Sequence, residues 1–391
     1  MRVAGLFAGI GGIELGLHAA GHSTALLCEL DPAARAVLRA HFSDTRLHDD
    51  VRTLTRLPDG VDVLAGGFPC QDLSQAGRTR GIAGERSGLV HEIFRLLRTH
   101  DVPHVLLENV SFMRSLGRGH AMRVLTAELE LLGYRWAYRV VDTRAFGLPQ
   151  RRQRLYLLAS RSIDPASLLL SEDVCASGNT GVDPDDASHT GRACGFYWTE
   201  GTRGLGWAVD AVPTLKGGST IGIASPPAIW LPDGRIVTPD LRDAERLQGF
   251  PEDWTLPAEA IVRRSFRWKL VGNAVSVPVA GWIGRLLASP SPGAEVRTRS
   301  LDTTGGWPTA ACGGPGRAPR EALVSMWPVN VPRGSLVEFL RHEPKPLSLK
   351  AASGFLARFR AGRLRRPDGF LAALERHVET LAASSAPDRA A

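Results

Sequence analysis

The chain is expected to be an α/β protein: a doubly wound, mostly parallel sheet joined to a small irregular domain and a partly helical C-terminal extension. Three observations predict it. Short apolar runs alternate with helical periodicity through the first 160 residues, as they do in a sheet built from strand–helix–strand crossovers. A glycine-rich turn, "AGIGG", follows the first apolar run. The alternation stops at Ser160, where Ser, Asp, Gly and Thr take over.

Taken in order, "RVAGLFAG" reads as a strand and "GIELGLHAAG" as a helix closed by Gly21. "STALLCEL" is a second strand. Asp31 then caps a helix that has Pro32 in its first turn. "VDVLAGG", Val61 to Gly67, is a buried strand. "GLVHEIFRLLRTH" is amphipathic, with Leu89, Ile93, Leu96 and Leu97 on one side. "HVLLENV" is a strand, "HAMRVLTAELELLG" a helix, and "YRWAYRVVD" with "RLYLLAS" a terminal antiparallel pair. These elements make one domain, 1–160. Residues 161–265 form the small domain. Residues 266–288, helical from Pro278, return to the sheet. Residues 289–320 read as a Gly/Pro/Ser-rich linker. Residues 321–391 are the extension, where Leu371, Leu374, Val378 and Leu381 follow a helical stripe.

The composition bounds the function. At 391 residues, 43% hydrophobic and 22% charged, the chain matches ordinary globular proteins. No apolar run is long enough to span a bilayer, and the N-terminus does not read as a signal peptide, so no membrane role is expected. The five cysteines, at 28, 70, 175, 194 and 312, make neither a disulfide framework nor a metal pair, which suits a reducing cytosol. The net charge is +7 and the pI about 9.5. All but four of the 47 basic residues are arginine. Arginine forks suit phosphates and guanine edges, so nucleic acid is a reasonable partner.

The chemistry gathers at strand ends. Gly9, Gly11 and Gly12 let the backbone approach a ligand where the first helix begins. Glu29 ends the second strand, placed to grip ribose hydroxyls, and Asp50 can accept from an adenine amino group. A nucleoside-containing cofactor follows. Cys70 lies just past the carboxyl end of 61–67, and Glu108 at the carboxyl end of the next strand. In open parallel sheets that end faces the ligand. A buried structural cysteine and a salt-bridged carboxylate are fair readings singly; together, beside the glycine turn, they point to a nucleophile and an acid.

"FAGIGG", "CELD", "GGFPCQDLS", "ERSGLV", "ENV", "QRRQRLYLLA", "ERLQGFP" and "GNAVSVPVA" occur in an order and spacing that resembles the DNA (cytosine-5)-methyltransferases of bacteria. The resemblance covers residues 1 to about 288, with few motifs between 160 and 210. It implies a Rossmann-like class I methyltransferase fold and S-adenosyl-L-methionine as methyl donor, with S-adenosyl-L-homocysteine as product. It also implies a cytosine flipped out of double-stranded DNA. Cys70 matches the nucleophile that adds to C6, and Glu108 the residue that acts at N3. Arg152 and Arg154 match an arginine pair, Arg154 near the base O2 and Cys70. Phe7 matches a residue packed on the adenine, Pro69 one that fixes the backbone beside the nucleophile, and Asn273 a cofactor contact. Leu30 stands where many members carry an aromatic or other apolar residue.

The stretch from Gln71 to about Ser87, Ser74 included, matches a loop that closes on flipped DNA. Thr214, Leu215, Gly217 and Gly218 match the pair and glycine loop of a target-recognition domain, with Arg203 and Lys216 as candidate groove contacts. "GRIVTPDLRDAERLQGFP" departs slightly from the usual form before its glutamate. A monomer is expected, and the sequence leaves open whether a cognate restriction endonuclease acts separately beside it or the enzyme is a phage or orphan methylase. Two rivals are an RNA cytosine-5 methyltransferase acting on tRNA and a catalytically inactive DNA-binding relative. The length of 161–240 argues against the first, and Cys70, Glu108 and Arg154 against the second. Beyond the motifs, Arg358, Arg360, Arg363, Arg365 and Arg366 cluster ahead of the last helix. They read either as a solvated appendage or as a contact to the DNA backbone.

Overall fold

A computed structural model describes residues 1–68, 88–174, 188–202, 204–218, 224–290, 295–302, 305–364 and 367–385. The core is a parallel run of β3 (Arg46–His48), β2 (Ser23–Cys28), β1 (Arg2–Leu6), β4 (Val63–Gly67) and β5 (His104–Val110). Beside β5 lie β8 (Gln153–Ser160) and then β6 (Arg135–Asp142), both pairings antiparallel.

Alternation along the strands decides which helix goes where. Val3, Val63 and Leu106 face one side, against α1 (Gly12–Ala19) and α8 (Val277–Ala288). Ala4, Leu64 and Val105 face the other, against α3 (Gly88–Thr99) and α4 (His120–Leu131). Period-two alternation with a helix layer on each face is the signature of a doubly wound sheet. The capping of α2 (Pro32–His41) is as expected: Asp31 Oδ1 accepts from Ala33 N at 2.9 Å. The segment 266–288 does return to the sheet. Gly16 lets α1 meet α8 so closely that a Cβ there would stand 2.6 Å from Ala280 Cβ. Among the described residues one helical stretch, Arg264–Ala288, is long and apolar enough to cross a membrane, and 78% of its apolar window is buried inside the protein.

The stretch expected to be a linker is not one. β14 (Thr298–Ser300), β15 (Ala310–Gly314) and most of β16 (Arg317–Ala322) lie within 289–320 and carry the sheet past β6, in the order β14-β16-β15-β6. The small residues that suggested a linker fit beneath a large one: a Cβ on Gly313 would fall 2.5 Å from the Trp136 ring. Trp307 packs against the same ring at 5.8 Å. The pair β6–β8 is therefore internal rather than terminal.

The small domain also draws on the C-terminal extension. Its sheet runs β10 (Ala208–Val209), β9 (Cys194–Phe196), β12 (Ala228–Trp230), β13 (Ile236–Thr238) and β17 (Lys345–Pro346). Two helices cover it, α10 (Leu349–Ala361) and α11 (Phe370–Ser385). Phe196, Ile236, Phe355, Phe359, Phe370 and Leu374 make one buried cluster.

Candidate active site

A cleft of about 870 Å³ opens beyond the carboxyl ends of β1, β2, β4 and β5. That volume suits a nucleoside-sized ligand. β1 is followed by Phe7, a non-glycine residue held at φ 53, and then by Gly9 at φ 55. Both line the cleft. A left-handed Phe is costly, of order 1–3 kcal/mol, and such conformations collect at ligand sites. A Cβ on Gly9 would meet nothing within 4 Å, so there the backbone conformation is what calls for glycine.

Glu29 closes this end of the cleft. Its Oε2 accepts from Gly9 N at 2.7 Å and its Oε1 from Asp31 N at 2.8 Å. Burial raises its pKa and those two amides oppose the rise. Each oxygen keeps a lone pair for a hydroxyl donor. Asp50 lines the cleft from the β3 side and holds Arg52 through both oxygens, at 3.0 and 2.6 Å. That guanidinium lowers the Asp50 pKa. Leu30, 61% exposed, lies on the rim as an apolar platform. Asn273, at the end of α7 (Arg267–Asn273), completes this wall.

Gly11 and Gly12 lie off the wall, contrary to expectation. Gly11 turns the chain at φ 84 where a Cβ would strike Phe42, and Gly12 lets Val275 and Phe250 pack close. They shape the turn without bordering the ligand space.

At the other end, Glu108 lies 8% exposed at the close of β5. Arg154, opposite Val110 on β8, brings Nε to 3.2 Å from Glu108 Oε1. Asn109 turns the other way, its Nδ2 donating to Phe68 O at 2.9 Å in a buried bond. Arg152 does not join Glu108. Its guanidinium donates to Gly272 O at 3.4 Å and Ala274 O at 2.5 Å, fastening the segment that carries Asn273. Burial, then the nearby Arg154, lowers its pKa. Cys28 also lines the cleft, but burial, with Glu29 and Asp50 behind it, pushes its thiol up to about 12, so it is no thiolate. Pro69, Cys70, Gln71, Ser74 and Arg203 lie outside the described residues.

The expected base-reading residues divide in two. Leu215 is 2% exposed, and its amide donates to Gln150 Oε1 at 3.0 Å. Thr214 Oγ1 donates to Arg151 O at 2.8 Å. Both act inside the protein, where β11 (Val212–Pro213) pairs with β7 (Gln150–Arg151). Lys216 is half-exposed, paired with Glu200 and 3.5 Å above the Tyr197 ring. Gly217 leaves room for the Asn273 side chain, since a Cβ there would lie 2.4 Å from Asn273 Oδ1 and force it to shift. Gly218, at φ 94, continues the loop.

Two residues escaped the sequence reading. Glu14 is buried on α1 in space that Gly5 leaves, where a Cβ would come 2.0 Å from its Oε1. Burial raises its pKa to about 7, against its own backbone N–H and with help from Glu29, and its Oε2 has no hydrogen-bond partner. An acid inside the apolar "GIELG" was the available signal. Asn109 stood in a quoted motif, but its bond to Phe68 depends on the pairing of β4 with β5.

The sheet and cleft define the α/β fold of class I methyltransferases. Two solved structures share it: the S. pombe Dnmt2 methyltransferase (TM-score 0.51, 18% identity, 74% of this chain and 99% of that one) and the Entamoeba histolytica methyltransferase EhMeth (TM-score 0.51, 13%, 72% and 96%). Residues 1–174 match the C-5 cytosine-specific DNA methylase family. The type II methyltransferase M2.BsuMI of Bacillus subtilis is 49% identical over 96% of this chain and 98% of its own length. The type II methyltransferase M.Bsp6I of a Bacillus species is 31% identical, over 71% and 96%. The chain belongs to the C-5 cytosine-specific DNA methylase family. It is a DNA cytosine-5-methyltransferase of the restriction–modification type, acting on duplex DNA with a methyl donor of the S-adenosylmethionine kind.

Proposed function

We propose that the enzyme methylates C5 of a cytosine flipped from a specific duplex sequence, through a covalent bond between Cys70 Sγ and C6. S-adenosyl-L-methionine supplies an electrophilic methyl group on its sulfonium. Phe7, Gly9, Glu29, Asp50 and Asn273 bind it: the aromatic packs on the adenine, Glu29 accepts from the ribose, and Asp50 accepts from the adenine amino group. The single observation behind the reading is the joint between β4 and β5. Asn109 fastens Phe68, two residues before Cys70 in the sequence, to the strand that carries Glu108, and Arg154 reaches Glu108 from the neighbouring β8. Glu108 and Phe68, which precedes Cys70 by two positions, thus share one hydrogen-bonded frame.

Cytosine C5 is a poor nucleophile until C6 is attacked. The Cys70 thiolate adds to C6, and Glu108 shares a proton with N3 to offset the charge that develops. Arg154 holds Glu108 and the base oxygen, and its cation favours the thiolate. C5, now enamine-like, takes the methyl group. Loss of the C5 proton and expulsion of Cys70 restore the aromatic ring. The small domain reads the sequence, with Lys216 at the DNA, and the type II relatives support a cognate endonuclease acting separately.

The test uses labelled donor with duplex DNA or tRNA, comparing wild type with Cys70→Ser. Wild type labels DNA and not tRNA. The variant is inactive yet keeps its DNA affinity, because a hydroxyl cannot match a thiolate near neutral pH. Duplex with 5-fluorocytosine at the methylated position gives wild type a denaturant-stable adduct, since fluorine cannot leave as the proton does. Normal turnover by the variant, or no adduct at a site demonstrably methylated, overturns the mechanism.

A further inference from the structure

The five arginines near the C-terminus were read as a solvated appendage or a contact to the DNA backbone. Arg365 and Arg366 lie outside the described residues, and the structure gives Arg358 another task. Arg358, on α10, donates through Nε to Glu200 O at 3.0 Å and through Nη2 to Trp198 O at 2.8 Å. It therefore fixes the backbone of Trp198–Glu200, a turn far away in sequence. Gly201 lies on the Phe355 ring, 3.2 Å from where its Cβ would stand, and a Cβ on Gly362 would meet Gly201 O at 2.6 Å. The turn is thus seated on the C-terminal helix by two charge-assisted bonds and by close backbone contact.

The same turn carries Glu200, the ion-pair partner of Lys216. Lys216 lies over the Tyr197 ring, and the Tyr197 hydroxyl donates to Thr214 O at 2.7 Å. A Cβ on Gly272, next to Asn273 on the cleft wall, would stand 2.2 Å from the Lys216 carbonyl carbon. The one basic residue of the glycine loop is thus held from below by a carboxylate whose position is set by α10. β17 is joined to the same body, since Leu347 N donates to Ile236 O at 3.0 Å.

We propose that the DNA-reading body is discontinuous in sequence, built from residues 188–240 and 345–385, and that Arg358 is a positioning residue for Lys216. This rests on the reading that the small domain meets DNA. Glu200 pre-pairs Lys216, so a wrong sequence must break an ion pair without offering an equal acceptor, which sharpens site choice. When Arg358 no longer fixes the turn, Lys216 is free to contact any phosphate.

The experiment uses full-length Arg358→Ala, Arg358→Lys, Glu200→Gln and Lys216→Ala. It measures KM for duplex DNA, KM for the methyl donor, melting temperature, and methylation across a mixed duplex library by bisulfite sequencing. Arg358→Ala is expected to raise KM for DNA by about tenfold and to spread methylation to near-cognate sites, with KM for donor unchanged. Arg358→Lys recovers part of the loss. Glu200→Gln, at an exposed pair that folding does not need, spreads methylation likewise and keeps the proposal testable if Arg358→Ala is unstable. Lys216→Ala shifts KM for DNA by itself, and adding Glu200→Gln to it changes nothing more, as expected for residues acting in series. If Lys216→Ala shifts KM while Arg358→Ala and Glu200→Gln leave KM and pattern alone, the proposal is overturned. If none of the four moves either readout while methylation continues, the placement of the reader in the small domain is overturned, and this proposal with it.

Discussion

In the larger sheet, β1 pairs with β2 and β4, and β4 with β5, each the neighbour or near neighbour in the chain. In the small domain, β13 pairs with β17, and Thr238 reaches Lys345 across 107 positions. The parallel part of the first region is closed by local crossovers over an aliphatic core, while β15 reaches β6 from far along the chain, Tyr138 meeting Pro308 across 170 positions. The second has strands of two or three residues and closes over aromatic rings brought from far apart, Phe196 with Phe370 at 4.9 Å and with Phe355 at 5.2 Å. Loop-closure entropy falls on the second before its contacts form. The cleft belongs to the region whose parallel strands are joined locally, and the short strands of the small domain depend on a segment more than a hundred positions away.

The largest break in this contrast comes from Phe355→Ala. The ring is fully buried between Phe196 and Phe359. Its loss is expected to cost about 3–5 kcal/mol. Only the small domain should suffer: chemical denaturation should separate into two transitions, the earlier one removing DNA binding, with donor binding retained to the later. A single transition shifted as a whole would mean the two regions unfold together.

Glu14→Gln probes the larger region by pH. A carboxyl whose folded-state pKa lies above its unfolded value takes up a proton on folding. The stability it contributes is therefore fully present below its ordinary value of 4.5 and lost as pH rises through about 7. The wild type should lose up to about 3 kcal/mol across that window from this residue. The Gln variant, neutral throughout, should be flatter there and more stable at pH 8. Unfolding free energies at pH 5 and pH 8 check it, and equal slopes in the two proteins would count against the buried acid.

The smallest effect is expected from Asp31→Ala, which removes the N-cap of α2 beside the cleft. It should lower stability by about 1 kcal/mol, in the later of the two transitions only. A shift confined to the earlier transition would contradict the division between regions.

How much was legible in the sequence follows the same line. Strands β1, β2, β4 and β5, their helices, the Asp31 cap and the placement of Glu29, Asp50 and Glu108 could be read because each depends on periodicity or on a residue next to a strand end. The roles of Arg152 and Leu215 could not, because both are decided by what β7, β11 and the Gly272–Ala274 carbonyls bring to them. Residues 289–320 looked like a linker because glycine and small residues usually mean turns; here they fill the room that Trp136 leaves. Arg358 looked like surface charge, and only the folded chain puts two carbonyls in front of it.

The seating of the C-terminal helices on the small domain also sets an order of assembly. A ribosome releases the chain from its N-terminus, and domains generally fold as units as they emerge. All ten strands of the larger sheet have left by Ala322, while the aromatic cluster of the small domain still waits for Phe355, Phe359 and Phe370. For the interval between, the cell holds a body with its larger sheet complete and its small domain half built. Synthesis that stops in that interval leaves the strands around the cleft in place and the aromatic core of the small domain without the rings that α10 and α11 bring to it.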